Sequence, residues 1–530
     1  MLDTGDMVIE QQHLYSDKKQ RTLTGSFIPP LVMGLPKKTQ SLCPECLKVI
    51  PATQYEKDGK VVMTKECPDH GEFNDIISSD VNIFLEMEKW YFKDGQGFSN
   101  PLVTNAKNCP SDCGICNMHL THAAVGNIDL TSRCNLGCPT CFASSNKYKI
   151  EPSFEEICIM MQRLRETRPA PCNMIQFIGG EPTLHPDFFK IVKASVELGF
   201  THIQVGTNGI KLADPEFAMQ AREAGLQYVY LQMDGVTDDV FEKIRGRKLL
   251  DTKLKAIESA GKAGLRVILV PTIIRDVNNH QLGDLIKLTL ENLNIITGIS
   301  FQPICFTGRY SEEYRLKQRY TLADIVHDIS RQTGLTDPMK DWFSLNVSTP
   351  FVSLAEALSG KSVINYSCHP HCGLLSILFV DKNKNAVPIT RFVDLYNLLK
   401  DINQLAEKTK KRRIKMFSKL SSLNLLRKHF NPENAPEGLT FNKFLRTLDG
   451  YTDKKFTWTE KYKGHAYKTI FLFAMHFMDN YNYDLQRVRR CAIHYTAPDG
   501  KLYPFCSYNS GYTHRDRVER EYTKTAINFS

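Results

Sequence analysis

The chain has 530 residues, enough for three or four domains of ordinary size. Hydrophobic residues make up 42% and charged residues 24%, a composition that excludes a mostly disordered or fibrous protein. The net charge of +9 is concentrated in residues 408–428, which hold nine Lys/Arg and no acidic residue. Such a patch predicts a local anionic partner.

The first segment, residues 1–35, is predicted to be extended or disordered. Its start carries Asp3 and Asp6 and lacks the apolar core of a signal peptide, so we expect a cytoplasmic protein. The apolar runs are far shorter than the roughly 20 residues that span a bilayer. Since cytosolic thiols stay reduced, the 16 cysteines point to metal ligation.

Residues 36–100 are predicted to form a small metal-binding module. Two strand-like runs flank Asp58-Gly59, which is typical of a hairpin turn. Three cysteines surround this hairpin, with a histidine as the obvious fourth ligand if the metal is zinc: Cys43, Cys46, Cys67 and His70. The spacing fits a rubredoxin-like mononuclear iron site or a zinc ribbon, and both interpretations stay open.

Residues 101–125 are predicted to be a cysteine-bearing bridge. Cys109, Cys113 and Cys116 have the spacing of cluster ligands but no visible fourth cysteine. The six cysteines of these first two regions can form two sites with three cysteines each, or one site with four and another with two. Spacing alone does not decide between these two arrangements.

Residues 126–335 alternate between strands and helices. The predicted strands cover 127–132, 174–178, 202–206, 228–233, 266–273 and 298–303. Six successive βα units indicate a parallel sheet with right-handed crossovers, hence an α/β fold with an open (β/α)6 partial TIM barrel. Ligands of such barrels bind at the carboxyl ends of the strands.

Several predicted strands end in residues suited to cofactor chemistry. Cys134, Cys138 and Cys141 follow the first strand, and three thiolates can hold three irons of a [4Fe–4S] cluster while the fourth stays open. The second strand ends in a segment whose glycines allow close backbone approach and whose carboxylate can meet an ammonium group, namely Gly179, Gly180, Glu181 and Pro182. Later strands add Thr207, Asn208 and Asp234.

The combination of CxxxCxxC after the first strand and GGEP after the second resembles the radical S-adenosylmethionine (SAM) superfamily. One departure is Thr140, where many members have an aromatic residue. The resemblance implies that the three cysteines hold the cluster, that SAM chelates its fourth iron, and that Gly179–Glu181 contact the SAM amino group. It also implies that Thr207, Asn208 and Asp234 face the ribose or the substrate.

Residues 336–530 are predicted to be a C-terminal α+β region. Cys491 and Cys506 flank a turn at Asp499-Gly500, so a hairpin would place their thiols nearly opposite each other. With Cys368 and Cys372 they form a four-thiolate set. By resemblance to other members of the superfamily it holds an auxiliary [4Fe–4S] cluster, and a zinc site is the alternative. We expect one or two auxiliary clusters in all.

Within this region, residues 405–430 are predicted to form a basic amphipathic helix. Met416, Leu420, Leu423 and Leu426 recur every three or four residues, and lysines gather elsewhere on the helical wheel. Such a helix can lie on an anionic membrane surface, or it can pack its apolar stripe on the core. The apolar run 469–478 is predicted to line a tunnel or to form a core helix. The remaining Cys158, Cys172 and Cys305 are expected to be small buried side chains.

The chain also resembles one branch of the superfamily, the archaeal tetraether lipid synthases and their relatives, over about 40–510. The stretches that carry this resemblance include CPDHGEF, NCPSDCGIC, CHPHCG and APDGKLYPFC. It implies a radical SAM enzyme that joins the terminal carbons of phytanyl chains of isoprenoid ether phospholipids, with a reductant such as ferredoxin and peripheral membrane contact.

Three other functions compete with this one. Relatives of the family have been assigned the radical methylation of a pterin, which predicts a compact pocket with polar partners. An RNA-modifying protein would use the basic patch, but no RNA-binding module is visible and no nucleic-acid partner is expected. An electron carrier would leave the three-cysteine loop and GGEP without a purpose.

Overall fold

The computed structural model describes residues 20–139, 141, 143, 145, 147, 149–306, 311–412, 415–452, 467–510 and 514–528. Residues 1–19 of the predicted N-terminal segment, and Thr140, lie outside this part of the chain. Within it, no helix combines the length and the apolar character that a membrane span requires.

The N-terminal part is a small antiparallel sheet with a helix behind it. A short pair, β1 (Gln20–Arg21) and β2 (Phe27–Ile28), precedes four strands: β3 (Lys37–Leu42), β4 (Val49–Lys57), β5 (Lys60–Cys67) and β6 (Gly71–Ser78). Asp58 and Gly59 both have positive φ angles, of 52° and 74°, as a two-residue hairpin turn between twisted strands requires. Helix α1 (Val81–Lys89) follows, and the Asp80 side chain caps its first turn.

The centre of the molecule is the predicted partial barrel of radical SAM type. Its strands are β7 (Val125–Thr131), β8 (Met174–Gly179), β9 (His202–Thr207), β10 (Tyr228–Gln232), β11 (Arg266–Val270), β12 (Thr272–Ile273) and β13 (Ile296–Pro303). Neighbours from β7 to β11, and then β13, pair in parallel in sequence order. All six predicted strands are confirmed, and Pro271 divides the fifth into β11 and β12.

Helices between the strands cover the outside of this barrel. They are α2 (Phe154–Arg165), α3 (Phe188–Glu197), α4 (Pro215–Ala224), α5 (Asp238–Arg245), α6 (Leu250–Lys262), α7 (Leu282–Glu291), α8 (Glu312–Gln318) and α9 (Leu322–Thr333). Short 3-10 turns occur at Pro182–Leu184, Lys211–Ala213 and Asn279–Gln281. Helix α2 begins with a complete capping box of Ser153 and Glu156, which fixes where it starts. Apolar side chains of the strands and helices form one continuous core.

The C-terminal region adds strands to both edges of the barrel sheet. These strands are β14 (Phe343–Ser344), β15 (Gly373–Val380), β16 (Ala386–Pro388), β17 (Lys468–Met475), β18 (Ile493–Thr496) and β19 (Leu502–Pro504). Strand β17 pairs in parallel with β13, and β18 pairs in parallel with β7. Residues 476–492 therefore connect the two edges of the open barrel. The apolar run 469–478 belongs mainly to β17, so the alternative of a core helix is wrong.

The C-terminal helices complete the fold. They are α10 (Ser348–Ser359), α11 (Leu395–Lys410), α12 (Met416–Lys428), α13 (Phe441–Thr452), α14 (Leu485–Val488), α15 (Phe505–Asn509) and α16 (His514–Asn528), with 3-10 turns at Leu345–Val347, Pro370–Cys372 and Ile389–Arg391. The predicted helix over 405–430 is two helices, because α11 ends at Lys410 and α12 begins at Met416. Arg413, inside the basic patch, lies outside the described residues.

Candidate metal and cofactor site

The loop that carries Cys134, Cys138 and Cys141 leaves the carboxyl end of β7. Burial raises the pKa of the Cys134 thiol to about 11, and the other two thiols add to this rise by their proximity. Burial also raises the pKa of Cys138, which the guanidinium of Arg245 partly offsets. Because metal ligands are thiolates, binding a cluster here must release protons. The three cysteines are half-buried and near enough for their thiols to influence one another, and their role as ligands of a cluster with one open iron stays a prediction.

Gly179 and Gly180 bring the end of β8 directly against this loop. The Gly180 N–H donates to the Thr131 carbonyl at 2.7 Å, and the Glu181 N–H donates to the Arg133 carbonyl at 2.8 Å. A Cβ at Gly180 would lie 2.3 Å from the Arg133 carbonyl oxygen, and one at Gly179 would lie 2.4 Å from that of Thr131. Both positions therefore need glycine so that the two backbones can meet.

The Glu181 carboxylate is used inside the protein. It accepts hydrogen bonds from the Thr183 hydroxyl at 2.6 Å, the Thr207 hydroxyl at 2.7 Å and the Asn208 N–H at 2.8 Å. Only 1% of the residue is exposed. Its Oε2 accepts only the Asn208 N–H among the described residues, so a contact between Gly179–Glu181 and the SAM amino group stays a prediction. Pro182 begins the short turn that follows.

Thr207 and Asn208 connect the third strand to the same place. The Asn208 side-chain amide donates to the Asn135 side chain in the cysteine loop at 2.7 Å. Both residues are buried, at 5% and 6% exposed. In the structure they hold the cysteine loop against the ends of β8 and β9, and a role toward SAM stays a prediction.

Asp234 does not face an open site. Its carboxylate accepts two hydrogen bonds from Arg245, at 2.7 and 2.8 Å, and one from the Thr272 N–H. The residue is fully buried. The carboxylate neutralises Arg245, whose guanidinium in turn lies beside the Cys138 thiol, and a role of Asp234 toward ribose or substrate stays a prediction. Sequence reasoning missed Arg245, which no motif marks.

A small cavity of about 20 Å³ lies at the carboxyl ends of β7 and β8, beside the glycines. Its lining includes Asp129, Ser132, Arg515 and Glu519. The Arg515 guanidinium donates to one Asp129 carboxylate oxygen at 2.6 Å. The other oxygen is buried and has no hydrogen-bond partner among the described residues. The structure thus places an unsatisfied acceptor beside the cysteine loop, and sequence analysis did not single out these residues.

In the N-terminal sheet, Cys43, Cys46, Cys67 and His70 converge. One ligand atom from each lies within 4.8 Å of the others, and no second group of three or more such atoms is this compact in the described part of the chain. A hydrogen bond with His70 lowers the pKa of Cys67 to about 6. Three thiols and one imidazole around a single point suit a tetrahedral zinc ion.

The four C-terminal cysteines also come together. The Cys368 and Cys372 thiols share a hydrogen bond, which raises the pKa of Cys368 and lowers that of Cys372 to about 6. After burial, the largest influences that raise the pKa of Cys491 are Cys506 and Cys372. Burial raises the pKa of Cys506 to about 11. The buried guanidinium of Arg487 lies beside Cys372 and Cys506, and it offsets part of this rise and helps to lower the pKa of Cys372. This arrangement has the donors and the positive charge that a four-thiolate cluster needs.

Cys109, Cys113 and Cys116 form a third cysteine group. Burial raises the pKa of Cys109 to about 11, and the nearby Arg489 guanidinium offsets part of this rise. Burial raises the pKa of Cys113 and of Cys116 as well, and the thiols of Cys109 and Cys116 add to the rise at Cys113. The two arginines, Arg487 and Arg489, were not anticipated from the sequence, because they lie far along the chain from most of the cysteines that they approach.

Comparisons with known proteins match two parts of the chain to family models. Residues 128–289 match the radical SAM superfamily, and residues 35–79 match the HMPTM N-terminal zinc ribbon domain. The zinc-ribbon match and the three-thiol, one-imidazole donor set agree with each other, so the N-terminal module is a zinc ribbon.

Curated relatives cover most or part of the chain. The 7,8-dihydro-6-hydroxymethylpterin dimethyltransferase of Methanocaldococcus jannaschii is 39% identical over 491 residues, 92% of this chain and 96% of that protein. A probable GTP 3',8-cyclase of Thermoplasma volcanium is 30% identical over 38% of this chain and 61% of its own. Among solved structures, SuiB of Streptococcus suis bound to S-adenosylmethionine is 16% identical, with a TM-score of 0.35 over 48% of this chain and 52% of its own.

The predicted function in tetraether lipid synthesis is wrong by this comparison. The relative that matches nearly the whole chain is named as a pterin dimethyltransferase, and the zinc ribbon matches the domain model that carries the HMPTM name. The motifs quoted for the lipid synthases mark metal ligands and the barrel, which related enzymes share, so they did not identify the substrate. The chain belongs to the radical SAM superfamily and, within it, to the family of the Methanocaldococcus jannaschii 7,8-dihydro-6-hydroxymethylpterin dimethyltransferase.

Proposed function

We propose that this protein is a radical SAM methyltransferase that acts on 7,8-dihydro-6-hydroxymethylpterin or a close analogue. The observation that carries the proposal is the 39% identity that extends along 92% of this chain and 96% of the relative with that name. Identity over both chains includes the zinc ribbon, the barrel and the C-terminal region, so it is not limited to the shared SAM-binding core.

The Asp129 carboxylate in the small cavity beside the cysteine loop supports a pterin. The cavity itself has a volume of only about 20 Å³, room for about one water molecule, so the support comes from the carboxylate and not from the size of the cavity. A pterin presents two adjacent N–H donors, on its amino group and ring nitrogen, and a carboxylate can accept both in parallel. Asp129 offers such a carboxylate, with one oxygen that lacks a partner among the described residues.

The chain's own residues prepare the site for the cluster and SAM. When bound to them, the cluster supplies the electron that cleaves SAM to methionine and a 5′-deoxyadenosyl radical, which takes a hydrogen atom from the substrate. Cys134, Cys138 and Cys141 would hold the cluster, and Arg245 would offset its negative charge from beside Cys138. Gly179 and Gly180 keep the backbone close enough for their carbonyls to accept from the SAM amino group.

The other metal groups belong to the proposal as well. We propose zinc at Cys43, Cys46, Cys67 and His70, and an auxiliary [4Fe–4S] cluster at Cys368, Cys372, Cys491 and Cys506. The iron–sulfur chemistry of the barrel and the buried Arg487 support iron over zinc at the C-terminal set, since a buried cation offsets the charge of a cluster. A reductant such as ferredoxin would supply electrons.

The test is a reaction of the anaerobically reconstituted protein with SAM, reductant and 7,8-dihydro-6-hydroxymethylpterin. Each transfer replaces one C–H bond by C–CH3, so mass spectrometry should show products heavier by one or two CH2 units, together with 5′-deoxyadenosine. Methyl-labelled SAM shows whether SAM is the source of the methyl group. The Cys138→Ala variant, which lacks a cluster ligand, should form neither product. Formation of 5′-deoxyadenosine with an unchanged pterin would contradict the substrate but not the radical chemistry.

A further inference from the structure

The cysteine group of the bridge has three thiols, and two buried hydroxyls lie next to it without partners. Cys109, Cys113 and Cys116 are its members, and the hydroxyls belong to Tyr483 and Ser507. Neither hydroxyl has a hydrogen-bond partner among the described residues. Both residues are fully buried. A buried hydroxyl with no partner lowers the free energy of unfolding by about 1–3 kcal/mol. Two such hydroxyls next to one cysteine group therefore need an explanation.

Both hydroxyls are close to the cysteine group. Burial raises the pKa of the Cys113 thiol and of the Tyr483 hydroxyl, and the Ser507 hydroxyl is near enough to each to offset part of this rise, although neither pair has the geometry of a formed hydrogen bond. The charged groups with the largest influence on Tyr483 are the thiols of Cys109, Cys506 and Cys113. Tyr483 and the first two thiols of the group pack against the same apolar cluster. The two oxygens therefore lie close to a group of three thiols that has no fourth cysteine of its own.

The other cysteines in this neighbourhood are engaged elsewhere. Cys506 accepts a hydrogen bond from the Met478 N–H at 3.5 Å, and its thiol acts on Cys491 within the C-terminal set. Cys305 donates to the Met478 carbonyl at 3.2 Å. An oxygen ligand is thus the better candidate for the fourth position than a further thiol.

We propose that Cys109, Cys113 and Cys116 bind a [4Fe–4S] cluster whose fourth iron is ligated by the side-chain oxygen of Ser507, to which the Tyr483 hydroxyl donates a hydrogen bond. The Fe–O bond forms as the Ser507 hydroxyl loses its proton to solvent, and no electron is transferred in this step. The inference rests on iron binding by the three thiols, and it does not depend on the pterin substrate.

The reason for an oxygen ligand is chemical. Hydrogen bonds, charge and ligand type set the potential of a cluster, so a site with one oxygen has a potential different from that of an all-thiolate site. Ser507 directly follows Cys506, and the thiols of both neighbouring cysteine groups act on Tyr483. The Tyr483 hydroxyl is therefore near thiols of both groups, and it can tune the potential of the first cluster.

The test uses the full-length protein, reconstituted with iron and sulfide and kept with SAM, which occupies the open iron at Cys134, Cys138 and Cys141. On mild oxidation Ser507→Ala should lose one iron per chain and give a strong [3Fe–4S] signal in electron paramagnetic resonance. Ser507→Cys should keep all irons and suppress that signal. Tyr483→Phe should keep the iron count and lower the reduction potential, because a hydrogen bond to the ligand is lost.

The control is Ser195→Ala, which removes an equally buried serine hydroxyl on α3, where it donates to the Val192 carbonyl. It should leave iron content and spectra unchanged. If Ser507→Ala and Ser507→Cys both match the wild-type protein in iron count and spectra, Ser507 is not a ligand. If Cys113→Ala keeps the full iron content, the group holds no cluster at all, and neither result bears on whether a pterin is methylated.

Discussion

Asp129 is the side chain in the cavity best placed to recognise a substrate, because one of its oxygens is buried and lacks a partner among the described residues. Replacing it by asparagine keeps the size but removes the charge. A charged hydrogen bond is worth about 1.5–3 kcal/mol, so we expect the KM for the pterin to rise roughly 10- to 100-fold. Formation of 5′-deoxyadenosine without pterin should be unchanged.

The control for this variant is Asn509→Ala. Asn509 also binds Arg515, at 2.9 Å, but it is not among the residues that line the cavity. If both variants raise the KM equally, Asp129 acts by holding Arg515 and does not contact the substrate.

His202 is a second residue whose chemistry can be tested directly. It lies at the start of β9 and stacks on Tyr228, with ring centroids 4.2 Å apart. Burial lowers its pKa from 6.5 to about 4. Above pH 6.5 the ring is neutral in both states and has no effect on stability. Between pH 6.5 and 4 the unfolded chain binds a proton that the folded one does not, so stability falls as the pH falls.

The variant His202→Phe keeps the stacking and removes this titration. We expect the difference in the free energy of unfolding between pH 7.5 and pH 5 to shrink by roughly 1–2 kcal/mol. Urea unfolding at the two pH values measures it. His280→Phe, at an exposed position, serves as the control, and an equal change in both variants would rule out His202 as the source.

Among the elements, the contact between the end of β8 and the cysteine loop is the tightest part of the SAM site. In Gly180→Ala the new Cβ would lie 2.3 Å from the Arg133 carbonyl oxygen, which is backbone and cannot swing away. We expect the loop to shift, the iron bound at its three cysteines to decrease, and 5′-deoxyadenosine formation to fall at least tenfold. Iron analysis and a timed assay measure the two effects.

Gly137→Ala is the matched control, because it lies inside the same cysteine loop and a Cβ there meets no atom of the described residues within 4 Å. It should keep its iron. Equal iron loss in both variants would mean that the loop tolerates no side chain anywhere, and that the contact with β8 is not the cause.

Helix α12 is the element that differs most from an ordinary surface helix. Four of its apolar side chains are 46–68% exposed, namely Met416, Phe417, Leu420 and Leu423, and only Ser418 is buried. Because these exposed apolar side chains lie near lysines, contact of this helix with an anionic membrane stays a prediction. We expect the double variant Phe417→Gln, Leu420→Gln to bind anionic vesicles less, with a stability change within about 0.5 kcal/mol.

Vesicle flotation at low salt and thermal unfolding measure these two quantities. Leu425→Gln is the contrasting variant on the same helix, because Leu425 packs against the apolar cluster around Phe392 and Phe430. It should lower stability more than it lowers vesicle binding. Equal vesicle binding by the wild-type protein and the double variant would contradict the membrane contact.

At the scale of the whole molecule, the sequence was sufficient for the barrel and for the Cys3His site of the zinc ribbon. Strand and helix periodicity and the cysteine spacing are local signals, and they located the six barrel strands and the Cys3His site. Arg245, Asp129, Ser507 and Tyr483 carry no local signal. Each becomes informative only when the fold brings it beside a cysteine loop, as Arg245 shows by pairing with Asp234 and lying beside Cys138.

The zinc ribbon makes hydrogen bonds and ion pairs with residues 476–492, the segment that joins the two edges of the barrel. The Ser41 hydroxyl donates to the Tyr483 carbonyl at 2.5 Å, and the Lys65 ammonium donates to the Asn480 carbonyl at 2.8 Å. A buried ion-pair network adds to this, because Arg319 bridges Asp75 of the ribbon and Asp479 of the segment. The segment leads into Cys491, a proposed ligand of the auxiliary cluster.

Loss of zinc from the ribbon should therefore reduce iron binding at the four C-terminal cysteines. Structural zinc stabilises small domains directly, so Cys46→Ser should unfold the ribbon and release its hold on residues 476–492. We expect faster hydrogen exchange in this segment and less iron at Cys368, Cys372, Cys491 and Cys506, whereas 5′-deoxyadenosine formation at the barrel persists. The control is Lys48→Ala, which removes an exposed ion pair with Asp69 in the same ribbon and should change neither metal. If the Cys46→Ser protein loses its zinc and exchanges faster in the ribbon but keeps its iron and the protection of 476–492, the two sites are independent.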